Sequence, residues 1–144
     1  MKRTAIRVEP ISTYLERRRK GPIYPVIVAG ETVYVSGLPP FDPETGEIKS
    51  VPFIRQTELV LEQMKCCLEA ACSSLDRVLK CNIYRTAEHS HFGIFNEIYS
   101  RYFPSEAPAP YLFMCRHGQA RSISKLIALR QSKAGARNAV GHLC

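Results

Sequence analysis

Between Thr32 and Ile48 the chain reads TVYVSGLPPFDPETGEI, and this stretch constrains the fold most tightly. Val33 and Val35 alternate with Tyr34 and Ser36, the period of a half-buried strand, and the alternation stops at Gly37. Upstream, Pro25–Ala29 is a second apolar run, and Gly30-Glu31 has the length of a hairpin turn, so the two runs are expected to pair. Downstream, DPETG carries turn chemistry: Pro43 fixes φ, Asp42 can cap the turn, and Gly46 can take a positive φ. A glycine at a strand end lets a ligand come close to backbone N–H groups. Taken alone, however, the segment is an ordinary hairpin.

The remaining elements follow in order. Leu61, Met64, Leu68 and Ala71, with Thr57, Val60 and Cys67 beside them, have the spacing of a core-facing stripe and predict a helix over 52–71. Pro52 suits its first turn. Val78–Thr86 reads as a strand with Leu79, Cys81, Ile83 and Arg85 on one side. A second helix, over 91–103, would place Phe92, Phe95, Tyr99 and Tyr102 on one face, and aromatics at that spacing are core more often than a binding box. Ser122–Gln131 has Ile123, Leu126, Ile127 and Arg130 at helical rather than strand spacing. Residues 1–20 read as an N-terminal extension with a helical turn near Thr13–Arg19, and residues 132–144 as a mobile tail with little apolar content.

At 144 residues the chain makes one domain with one core. No run is long and apolar enough to span a membrane, and the polar start lacks a signal peptide's apolar segment, so the expected location is cytoplasmic. The six cysteines show no metal or disulfide spacing and read as small apolar residues in a reducing compartment. His89 and His91 are two apart, but no further ligands cluster nearby. The net charge of +7 invites a nucleic-acid partner, yet its distribution argues against one. Residues 1–106 hold 14 basic and 13 acidic residues, a net of +1, whereas residues 107–144 hold 6 basic residues and no acid. The basic run Arg17–Lys20 reads as a solvated helix end.

Several motifs recur together: the AG-x-x-V-Y-V-SG strand, DPETGE, Gln56-Thr57, Leu68-Glu69-Ala70-Ala71, Ser73-Ser74-Leu75-Asp76, and then Phe92, Asn96-Glu97, Tyr99 and Phe103. In this order and spacing, from about Gly21 to Pro108, the chain resembles the Rid family, also called YjgF, the reactive-intermediate deaminases. The resemblance implies an α+β fold of the chorismate-mutase-like kind: a mixed sheet with two helices on one face, spanning residues 21–131. It also implies a homotrimer acting on small imino or enamino acids, with no cofactor and no metal. Family members hydrolyse 2-imino and 2-enamino acids to 2-oxo acids and ammonia. Cys72 stands where related chains usually have a helix-ending glycine, so a strained helix end is expected there.

After Ala109 the chain departs from the family. Related chains continue Pro-Ala-Arg, and that guanidinium can hold a substrate carboxylate through two parallel hydrogen bonds. Here Pro108-Ala109 is followed by Pro110, and no acid follows Glu106, although the family's last strand carries a glutamate suited to moving the proton of a water. Shifted reading frames restore both features. Codons spanning the junctions from His117/Gly118 onward permit W-P-G-P-F-D-I-E-I-D-C-V, which alternates like a strand. The other frame, starting in Pro110, permits R-I-F-L-C-V. The expectation is that two small frame changes separate this sequence from an unbroken family member.

The candidate site residues are few. Gly37 and Leu38 offer backbone groups at a strand end. Tyr24 is a candidate for the cleft wall, although the family's Gly-Pro-Tyr-Ser is Gly21-Pro22-Ile23-Tyr24 here, which shifts the ring by one position. Tyr111 and Cys115 fall where the arginine strand belongs. Two functions remain open: an imine/enamine deaminase impaired by the missing arginine, or a non-catalytic relative that binds small carboxylates. A ribonuclease gains little support, because no paired acid and base stand out.

Overall fold

The computed structural model describes residues 2–86, 92–115 and 125–131. The elements in chain order are β1 (Arg3–Ile6), α1 (Ile11–Arg19), β2 (Val26–Ala29), β3 (Thr32–Val35), α2 (Phe53–Ala70), β4 (Val78–Thr86), α3 (Phe92–Tyr102), β5 (Ala109–Cys115) and β6 (Lys125–Gln131). The strands form one sheet in the order β1-β2-β3-β6-β4-β5. It is mixed: β4 and β5 are parallel and every other pair is antiparallel. This is the α+β, chorismate-mutase-like arrangement expected from the sequence.

β2 and β3 form the expected hairpin, with Val26 opposite Val35 and Ala29 opposite Thr32. Its two-residue turn begins at Gly30, whose φ of +58 is open to glycine at no steric cost. Val26, Val33 and Val35 are buried under the helices, while Tyr34 is exposed on the other face. α2 buries Thr57, Leu59, Val60, Leu61, Met64, Cys67 and Leu68, the predicted stripe with Leu59 added; Ala71, also expected on it, is half-buried at the C-cap. α3 packs beside α2, and the Tyr102 hydroxyl donates to Glu62 Oε1 at 2.6 Å.

The C-terminus of α2 closes as a Schellman motif. Ser73 N–H donates to Leu68 O and Cys72 N–H to Glu69 O, with Cys72 in the left-handed region at φ +53. The expected strain at Cys72 is therefore present.

Three expectations are corrected. In β4 the register shifts between Val78 and Lys80, a bulge that reverses the alternation. Val78 is buried and Leu79 is 56% exposed, while Cys81 and Ile83 keep their predicted place in the core. On α3, Phe92 is exposed at the first residue of the helix, and Ile98 joins Phe95 and Tyr99 in the core instead. Residues 125–131 form a strand rather than a helix: β6 is bonded to β3 on one side and to β4 on the other, and pairing both edges outweighs a local helical period. The segment set apart as an extension supplies structure of its own. β1 pairs with β2 along its length, and α1 buries Ile11, Ser12, Tyr14 and Leu15. The sequence readings at His89, at His91 and over 132–144 lie outside the described residues. Among the described residues, no helix is long and apolar enough to cross a membrane.

Candidate functional site

The hairpin continues past β3 by one bond, from Ser36 N–H to Pro25 O at 2.8 Å. Extending the antiparallel register through that bond sets Tyr24 beside Gly37. The Tyr24 side chain is 44% exposed, and the Leu38 side chain is fully buried. Leu38 can therefore serve a ligand only through its backbone, while its side chain anchors the segment in the core. The Ser36 hydroxyl oxygen is buried and has no hydrogen-bond partner among the described residues.

The segment beyond is held at several points. Pro39 O accepts from Phe41 N–H at 2.8 Å and from Gln63 Nε2 at 2.9 Å. The DPETG turn forms as its residues predict. Asp42 Oδ1 accepts from the N–H groups of Glu44 and Thr45 and from the Thr45 hydroxyl, and Asp42 Oδ2 pairs with Lys49 Nζ at 2.8 Å. The Lys49 ammonium, with the turn N–H groups, holds the Asp42 carboxyl far below the usual carboxylate range. From α1, the Tyr14 hydroxyl donates to Pro43 O at 2.9 Å and Arg17 Nη1 to Thr45 O at 3.3 Å. Sequence reasoning did not foresee this latch, because nothing near DPETG points to a helix 28 or more residues upstream.

Tyr111 and Cys115 do not join this cluster within one chain. They lie on β5, where they pair with Asn82 and Thr86 of β4. β5 is an edge strand, and β6 and β4 lie between it and β3. Three strand spacings are about 14 Å. The candidates thus fall into two groups, Tyr24-Gly37-Leu38 at the hairpin end and Tyr111-Cys115 on the far edge. Position 110, where the arginine was expected, is a proline paired with Cys81.

A mixed sheet backed by two helices, with a glycine-ended hairpin beside an exposed tyrosine, defines the class: a small chorismate-mutase-like domain. The family model described as Endoribonuclease L-PSP matches residues 19–120, more than half of the chain, and the chain belongs to this family, the Rid/YjgF proteins. It is 40% identical over 89 residues to a RutC family protein of Pyrococcus abyssi, covering 62% of this chain and 69% of that one. It is 35% identical over 106 residues to the chloroplastic Reactive Intermediate Deaminase A of Arabidopsis thaliana, covering 74% of this chain and 56% of the relative. A crystal structure from Thermotoga maritima superposes with a TM-score of 0.77 at 31% identity, over 93% of this chain and 100% of that one.

Proposed function

We propose that this chain hydrolyses reactive 2-imino or 2-enamino acids to 2-oxo acids and ammonia, at a rate held down by the proline at position 110. The observation that carries this reading is the likeness to Reactive Intermediate Deaminase A over 74% of the chain. The placement of Tyr24 beside Gly37 at the end of the hairpin supports it. In the reaction, water adds to the imine carbon and the resulting carbinolamine expels ammonia, leaving the carbonyl. The protein has to hold the carboxylate and aim the water, which is chiefly positioning. Without an arginine the carboxylate lacks a bidentate clamp, and loss of one such contact costs about 2–5 kcal/mol. That is on the order of 10²-fold or more in rate.

The two separated groups of candidates support a site completed between subunits of a homotrimer. The hairpin end of one copy would meet the β5 edge of the next. Exposed Tyr34 and Leu79, on the sheet face away from the helices, support burial against another copy. The second reading, a carboxylate binder without turnover, is favoured by one observation, the absence of the arginine at Pro110.

The test is ammonia release from freshly generated 2-iminopropanoate, comparing the chain as it stands with one carrying the shifted-frame segment from position 110 onward. The restored chain is expected to be at least about 10²-fold faster. Arginine at position 110 alone should recover little, because the acidic strand would still be missing. Equal rates would sink the role given to the arginine. Binding of pyruvate without any release above the spontaneous rate would favour the second reading.

A further inference from the structure

We infer that Gln63 is a positioning residue, the group on α2 that fixes the Gly37–Leu38 backbone for the reacting ligand; the inference rests on the deaminase reading. Gln63 lies between Leu59 and Val60 on the helix surface, both buried, on the side of α2 that meets the loop after β3. Its Nε2 donates twice, to Pro39 O at 2.9 Å and to Leu59 O at 3.0 Å. Both acceptors are carbonyls, so only the amide nitrogen can face them, and the orientation of the side chain is determined. The opposite atom, Oε1, is buried and has no hydrogen-bond partner among the described residues. An unpaired buried acceptor is unfavourable, and an apolar side chain of the same length would avoid it. The position keeps an amide whose contribution is the bond across to the loop.

That bond ends a short, well-held stretch. Ser36 N–H is tied to Pro25 O, the Leu38 side chain is in the core, and Pro39 O is held by Gln63 and by Phe41 N–H. Gly37 has no side chain to hold it, so its peptide groups keep their direction only through these neighbours. A backbone donor aimed at a developing charge works only when it is fixed beforehand.

The test compares the wild-type chain with Gln63→Met, which matches the length, keeps helix propensity and removes both bonds together with the unpaired oxygen. Amide hydrogen exchange is read at Ser36 and Phe41, the hydrogen-bonded amides on either side of Gly37 and Leu38, and along α2, alongside the thermal midpoint and the kinetics on 2-iminopropanoate. Exchange at these two loop amides is expected to rise about tenfold while that of α2 and the midpoint stay in place. kcat is expected to fall about tenfold with KM little changed. Unchanged loop exchange overturns the holding role. Faster loop exchange with unchanged kcat shows that Gly37 and Leu38 do not serve the reaction, and also overturns the inference. A wild-type chain that forms no 2-oxo acid at all overturns the deaminase reading itself, and the positioning role falls with it. A midpoint that drops as steeply as kcat reduces Gln63 to a structural residue; Gln63→Leu, also without polar atoms, is the check that this drop does not come from the shape of methionine.

Discussion

At Gly46 φ is +71, and a Cβ built there would lie 2.2 Å from Tyr14 Cδ1. The ring cannot step aside without giving up its bond to Pro43 O. Gly46→Ala is therefore expected to destabilise by about 2 kcal/mol or more, seen as a lower urea midpoint. Cys72 is the reverse case, since a side chain sits at φ +53 where glycine is free to go. Cys72→Gly should stabilise by about 1 kcal/mol, and thermal unfolding should shift up by roughly 2–4 °C. Asp42 sets a pH dependence. Its carboxyl is lowered by Lys49 first and then by the turn N–H groups. Glu16 is lowered by Arg7, and Glu9 by the Thr13 hydroxyl and Arg7. Groups depressed in the folded state contribute fully above their unfolded values, near pH 4, and lose that contribution as pH falls through the folded ones. The urea midpoint should hold from about pH 5 to 8 and drop below about pH 4. Asp42→Asn should show a shallower drop, and an identical acid limb would remove Asp42 from the account.

Among the elements, legibility followed the strength of local chemistry. The hairpin, the DPETG turn and the α2 stripe could be read because each rests on residues close in sequence. The exposure of Leu79 could not, because the bulge that reverses β4 is fixed by its partner, β6. Nor could β6 itself, since its strand state comes from two neighbours far away in sequence. Of the candidate site, the hairpin end was legible through Gly37, whereas the hold exerted by Gln63 depends on how α2 lies over the loop. The register of β6 sets Arg130 opposite Val33 and Val78, both buried. The core of α2 and β4 predicts thiol behaviour too. Burial pushes the Cys67 thiol up to about 12 and the Cys81 thiol up to about 11. At pH 8 an alkylating reagent followed by peptide mapping should leave both unmodified in the folded chain, while Cys72, which is exposed, reacts.

For the whole molecule, assembly and sheet order carry the remaining expectations. If copies meet through the face that bears Tyr34 and Leu79, light scattering at micromolar concentration should give a mass of three chains, and Leu79→Asp should lower it to one. A wild-type chain that stays monomeric would count against shared sites. The sheet order has a further consequence during synthesis. β6, the last described strand, sits between β3 and β4 and is the sole strand joining them. Until residues 125–131 leave the ribosome, the nascent chain holds two half-sheets, β1-β2-β3 and β4-β5, each with an open inner edge. Closure waits for that segment, and the exposed edges must be kept from other nascent chains until then.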